Sequence, residues 1–387
     1  MADQPLLITN ANVITPTVIL KQGWVFCADG HIAGVGSGMP PRERDIQTVD
    51  AGGRTVMPGF VDVHVHGGMG HDTMDASREA LEAMARFYAA HGVTGFLATT
   101  WTDSHTRITA ALQAVRDHVG PMPGGAALLG AHLEGPYLNP ARCGAQNLDE
   151  IRRATAAEAQ PWLELGVIRL VSVAPEYPEN HWLISECVSR GVTVSVAHTA
   201  ATYDQMQEAI RLGLTHSTHT FNAMTPLNHR EPGVVGAVLD APTVRCEVIA
   251  DNIHVHPAAM NILWKAKGKH GVVLVSDAVV AAGMPDGTYQ IDARDVMVKD
   301  GAVRLPDGTL AGSTLTLDRA LKNFMAATGE PLTAVWQTVT LNPARAIGLG
   351  DRKGTIETGK DADLVLVDDA VNVALTAVGG RIVYSAL

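Results

Sequence analysis

The chain has 387 residues, 46% hydrophobic and only 5% aromatic, with a formal net charge of −11. That length accommodates one large α/β barrel plus a small accessory domain, and an acidic balance with no basic stripe excludes a nucleic-acid binder. No run of 18 apolar residues offers a membrane span.

Residues 5–56 read as short strands with turns, "LLITNANVI", "GWVFCADGHIAGVG" and "IQTVDAGGRTV", with Asp29-Gly30 as a hairpin turn. The texture then becomes periodic. Apolar strand candidates fall at 57–65, 93–100, 126–133, 167–174, 192–198, 214–220, 244–250 and 271–277. Helical segments separate most of them, such as "SREALEAMARFYAAHG" at 77–92 and "SHTRITAALQAVRDHVG" at 104–120. After the eighth strand, "TLDRALKNFMAAT" and "PLTAVWQTVTLNPARAIG" supply further helices, and "GTIETGKDADLVLVDDAVNVALTAVGGRIVYS" returns to β texture. The expected fold is a (β/α)₈ TIM barrel over 57–345, with a small β-sandwich built from 1–56 and 346–387. A doubly wound sheet is the alternative, but it needs no eighth unit and no glycine-rich fingerprint is present.

The four cysteines, Cys27, Cys143, Cys187 and Cys246, are scattered without a CxxC pair and read as free thiols of a reducing compartment. The opening "MADQPLLITNANVITP" lacks a basic segment followed by an apolar stretch, so a cytoplasmic enzyme is expected.

Polar residues gather at the strand ends. His64 and His66 close "VMPGFVDVHVHGG", and side chains at i and i+2 leave a strand on one face, where both rings can reach one metal ion. Glu134 follows the third apolar run, and a buried glutamate is costly unless paired or metal-bound. His198 ends "GVTVSVAHT", His219 ends "THSTHTFNAM" with His216 as its competitor, and Asp277 closes "GVVLVSDAV". The strand ends of a barrel converge on one mouth. The set suits one or two divalent metals. No lysine occurs from residue 22 to 264, which closes the carboxylated-lysine route to a bridge and leaves Glu134 as the bridging group. One site is then His64, His66, Glu134 and Asp277; the other is Glu134, His198 and His219. Nitrogen and oxygen donors without thiolate suit Zn, Fe(II), Mn or Co alike.

Such a centre activates water near neutral pH, and Asp277 is placed to accept its proton and pass it to a leaving group. His254 in "VIADNIHVHP" is the best non-metal candidate at the mouth, with His256 weaker. The aperiodic loop "FNAMTPLNHREPG" offers backbone N–H groups near Asn222 and Ala223, together with His229 and Arg230, to hold an anion.

These segments resemble the N-acetylglucosamine-6-phosphate deacetylases of the amidohydrolase superfamily. "PGFVDVHVHGGMGHDTMD", "HLEGPYLNPARCGAQN", "VSVAHTAATYDQM", "THTFNAMTPLNHREPG", "ADNIHVHP", "VSDAV", "TLAGSTLTL" and "NPARAIGLGDRKGTIETGKDADLVLVD" run in family order from about residue 50 to 370. The resemblance implies hydrolysis of the acetamide of N-acetyl-D-glucosamine 6-phosphate by a TIM barrel, usually as a homodimer. By it, Glu134, His198 and His219 match the metal triad, Asp277 the acid/base and His254 a substrate ligand. Asn222 and Ala223 match groups facing the phosphate, and Arg230 a phosphate ligand reaching the neighbouring subunit's site. The resemblance also implies that Leu310, in "TLAGS", abuts the acetyl group. Some members lack the first-strand His pair and keep one metal; here both histidines remain, which favours a capacity for two. Gln146 stands at a sugar-contacting position where some members carry His, which leaves N-acetylgalactosamine-6-phosphate deacetylation as the nearer alternative. A cyclic amidase, or a sugar-phosphate binding protein without catalysis, fits fewer of these residues.

Overall fold

All residues of Phe60–Val65, Val93–Thr100 and Ala127–Glu134 are buried. Strands covered on both faces belong to a parallel sheet wrapped by helices. A computed structural model of the chain, which describes residues 4–42 and 45–387, shows that arrangement. Among the described residues, barrel strands β1 (Phe60–Val65), β2 (Val93–Thr100), β3 (Ala127–Glu134), β4 (Ile168–Val173), β5 (Thr193–Val196), β6 (His216–Ser217), β7 (Arg245–Ile249) and β8 (Val272–Val275) pair in sequence order. The ring closes just past β8, where Asp277 N donates to His64 O at 2.9 Å and His66 N to Ala278 O at 2.8 Å. The barrel strands were legible as apolar runs, and the helices between them follow the same logic. Arg78–Ala90 starts on the Ser77 cap and turns Leu81, Met84, Ala85 and Tyr88 toward the sheet.

Both chain ends meet in one antiparallel-rich sheet. Arg381–Ser385, Val373–Val378 and Leu364–Val367 continue into Thr55–Pro58, Leu6–Ile14, Ile19–Ala28 and His31–Ser37. The join is the pairing of Leu364–Val367 with Thr55–Pro58, Leu364 opposite Pro58. Leu6, Ile8, Val25, Val56, Leu364 and Leu375 form its core. The Asp29-Gly30 turn has positive φ at both residues, 52° and 79°, as a two-residue hairpin demands.

Two elements differ from the sequence expectation. The apolar run 57–65 is two strands, because the chain passes from the terminal sheet into the barrel at Gly59, where a Cβ would come within 2.2 Å of the Thr94 side chain. The segment after β8 also carries a four-stranded antiparallel sheet before the next helix, formed by Gly287–Ile291, Arg294–Lys299, Ala302–Arg304 and Leu310–Ser313. Its last strand returns to the barrel mouth, with Ser313 N donating to Asp277 O at 2.8 Å. Gly312 permits this approach: its φ is 64°, and a Cβ there would sit 2.3 Å from Val279. No helix among the described residues is long and apolar enough to cross a membrane.

Candidate metal centre and active site

Each candidate ligand leaves a strand end. His64 and His66 lie at the end of β1 and Glu134 is the last residue of β3, all buried. His198, His219 and Asp277 stand two residues past β5, β6 and β8, and all three have positive φ, 42°, 28° and 49°. For residues with a Cβ that conformation costs about 1–3 kcal/mol each, and such strain collects at functional sites. β6 is short for the same reason: His219 N leaves the ladder and donates to the Glu247 carboxylate at 3.1 Å.

Glu134 divides its two oxygens. Oε1 lies 3.1 Å from His219 Nε2 and 3.4 Å from His198 Nε2, which are themselves 3.1 Å apart. Oε2 lies 3.0 Å from His66 Nε2 and 3.4 Å from His64 Nε2, which are 3.3 Å apart. Asp277 Oδ1 is 3.4 Å from both Nε2 atoms of the first pair. Four donors around a metal at tetrahedral distances of about 2.1 Å are separated by about 3.4 Å. The donor atoms of both triads, His64/His66/Glu134 and Glu134/His198/His219, therefore have the spacing that a divalent cation requires. The residues fit one or two such metals, and the nitrogen and oxygen donors do not select among Zn, Fe(II), Mn and Co.

The surroundings hold these groups in place. Burial pushes the Glu134 carboxyl up, but the charge of His64 and hydrogen bonds from His198 and His219 outweigh it and hold it well below the usual range. Glu247, fully buried on β7, faces His64 Nδ1 at 3.0 Å and His216 Nε2 at 2.9 Å. His198 Nδ1 lies 2.8 Å from the Arg142 carbonyl. Trp101 stacks on His66 with ring centroids 3.8 Å apart, and its indole N–H donates to Asp72 at 3.1 Å. Burial raises Asp72 to about 6.

Above the ligands lies a cavity of about 330 Å³, within the range of small-molecule sites. His66, Glu134, His198, His219, Asp277, Gln146, Asn222, Ala223, His254 and Leu310 all line it, so most sequence candidates share one chamber. His254 is anchored through Nδ1 to Asp251 Oδ2 at 2.7 Å. Gln146 accepts from Thr102 N at 2.7 Å and donates to Glu134 Oε2 at 2.9 Å, so its amide braces the bridging carboxylate as well as facing the cavity. His229 and Arg230 do not line this chamber: both are exposed, and Arg230 borders a neighbouring cavity with Tyr203 and Asn228. His216 is buried behind the site on Glu247, and His256 caps the helix starting at Pro257. Sequence reading missed Glu247, Trp101, Arg142 and Thr309. Glu247 alone left a signal, a carboxylate inside the apolar run "CEVIA".

The amidohydrolase family matches residues 55–383. The N-acetylglucosamine-6-phosphate deacetylase of Bacillus subtilis (strain 168) is 37% identical over 98% of this chain and 98% of its own. The N-acetylgalactosamine-6-phosphate deacetylase of Escherichia coli O157:H7 is 35% identical over 94% and 97%. Among solved structures, an Asp-to-Ala mutant of the N-acetyl-D-glucosamine-6-phosphate deacetylase of Mycobacterium smegmatis, in complex with N-acetyl-D-glucosamine 6-phosphate, superposes with a TM-score of 0.92 at 34% identity, covering 99% of this chain and 100% of that one. With this coverage, and with the two triads sharing Glu134, the chain belongs to the N-acetylglucosamine-6-phosphate deacetylase family of the amidohydrolases.

Proposed function

We propose that this enzyme hydrolyses the acetamide of N-acetyl-D-glucosamine 6-phosphate, giving D-glucosamine 6-phosphate and acetate. The observation that carries the reading is the single carboxylate, Glu134, facing a histidine pair with each oxygen while Asp277 stands beside the first pair. When bound, a divalent metal supplies Lewis acidity to water and to the acyl oxygen. The protein's own groups do the rest. Asp277 takes a proton from the attacking water and returns it to the amine nitrogen as the C–N bond breaks, so one carboxylate serves as base and then acid. His254, its Nδ1–H held by Asp251, keeps the Nε2 lone pair to accept from a sugar hydroxyl. Leu310 packs on the acetyl methyl. Gln146 spends one amide N–H on Glu134 and has a second for a sugar hydroxyl.

The phosphate is assigned to Asn222 and Ala223 at the cavity wall and to Arg230 from a second copy of the chain, with His229 beside it. The exposure of His229 and Arg230, outside their own chamber, supports a homodimer in which they serve the neighbour. Arg142 is the only arginine or lysine lining the chamber among the described residues, and it favours an anionic ligand too. The reading includes domain limits of 1–56, 57–345 and 346–387, and a cytoplasmic setting supported by four free thiols.

The galactosamine epimer is the second reading, favoured by the 35% identical relative that acts on it. Acetate release should be measured from both phosphorylated epimers and from unphosphorylated N-acetylglucosamine, with Zn, Fe(II), Mn or Co supplied. Fast turnover of the glucosamine phosphate alone is expected. Turnover of the galactosamine phosphate alone would transfer the function to that epimer.

A further inference from the structure

We propose that Glu247 is a positioning residue that makes His64 a metal ligand and braces one member of each ligand triad. The proposal rests on the two-triad reading above. Glu247 has no exposed surface, and its carboxylate has three partners: His64 Nδ1 at 3.0 Å and His219 N at 3.1 Å on Oε2, and His216 Nε2 at 2.9 Å on Oε1.

The consequence for His64 is one of tautomer. A neutral imidazole carries one N–H and one lone pair. When His64 is neutral, Nδ1–H directed at the carboxylate leaves the lone pair on Nε2, the atom facing His66 Nε2 and Glu134 Oε2. Its neighbour is held differently: His66 Nδ1 has no hydrogen-bond partner among the described residues, and its ring is fixed by stacking on Trp101. Glu247 is therefore the carboxylate orienter of the first pair. Its second contact acts on the other triad. By accepting from His219 N, it holds the positive-φ turn that sends the His219 ring over Glu134. A merely structural role, pairing with His216 to fill the barrel interior, would require neither contact.

The test uses the full-length protein, stripped of metal and titrated with Zn or Co(II), with bound equivalents and dissociation constants measured by calorimetry and elemental analysis. Wild type should bind two equivalents. Glu247→Gln, which keeps the shape but removes the carboxylate charge facing His64 and His219, should weaken both equivalents about 10–100-fold, the usual effect of losing an outer-shell partner. Glu247→Asp, which keeps the charge but falls short of His64, should do the same and carries the test if the amide variant does not fold. Nitrogen NMR of the zinc-loaded wild-type protein should report His64 as neutral with its proton on Nδ1. Two equivalents with unchanged constants in either variant, or an Nε2–H tautomer at His64, would overturn the proposal, whatever happens to the melting temperature. A wild type that binds only one equivalent would overturn the two-triad reading itself, and the proposal with it.

Discussion

Charge is buried at both ends of the barrel, but the two ends treat it differently. Near the start of β1, Lys353 is 8% exposed and lies 2.9 Å from Asp361, hydrogen-bonds Asp363, and is joined by Arg352, 3.1 Å from Asp361. Gly59, just before β1, donates to the Asp363 carbonyl, so this cluster seams the terminal sheet to the barrel. Burial pushes Lys353 down, yet the two carboxylates outweigh it and hold the ammonium above its usual range. Cation and anion satisfy each other. At the opposite end, Glu134, Asp277 and Glu247 form ion pairs with imidazoles alone among the described residues. Among the described residues, no lysine or arginine forms an ion pair with these carboxylates. A cluster that neutralises itself is a joint; a cluster of converging lone pairs is a place for a cation. Burial alone does not separate the two, but the sign of the partners does.

The comparison can be broken at either end. Asp277→Asn should lower kcat by about 10²–10⁴-fold, the range for losing a general acid/base, while the melting curve stays cooperative; steady-state acetate release measures it, and retained turnover would remove Asp277 from the proton path. Lys353→Met should leave catalysis by the folded enzyme intact but destabilise the chain by about 3–5 kcal/mol, since it removes the cation paired with the buried Asp363 and leaves Asp361 only Arg352. Urea unfolding followed by circular dichroism reads that loss, and a change below about 1 kcal/mol would deny the cluster its role as a joint. Arg230→Ala should raise KM for the phosphorylated sugar about 10–100-fold, as expected for one charge-assisted hydrogen bond, and leave the unphosphorylated sugar unaffected. Equal effects on both substrates would separate Arg230 from the phosphate.

The smallest effect is in the pH dependence of the joint. Burial pushes Asp361 up, but Lys353 and Arg352 outweigh it and hold it below its usual value. A depressed carboxylate contributes stability above its unfolded pKa of about 4 and loses it as pH falls through the folded value. The stability gap between wild type and Lys353→Met should therefore narrow on acidification below about pH 4. A constant gap down to pH 2 would contradict the pairing.

Much of this was legible in the residues. The eight barrel strands announce themselves because burial on both faces demands unbroken apolar runs. His64, His66, Glu134, His198, His219 and Asp277 are visible because polar groups closing such runs stand out. The hidden parts share a cause. Glu247 meets His64 across 183 residues, a contact that exists only once the ring is closed. The split at Gly59 depends on the packing of Thr94 against it. The sheet over 287–313 consists of short strands with exposed positions, whose alternation is too brief to distinguish from a loop. The resemblance implies a sugar contact for Gln146, and only the fold reveals its bond to Glu134.

The closing bond of the barrel has a consequence for how the protein is made. Asp277 N reaches His64 O only when the last strand docks beside the first. The proposed acid/base and the first metal ligand are therefore brought together by the same event that completes the ring. With the last strand undocked, Asp277 no longer stands 3.4 Å from His64 and His66. Ring closure and assembly of this part of the site are thus one structural event.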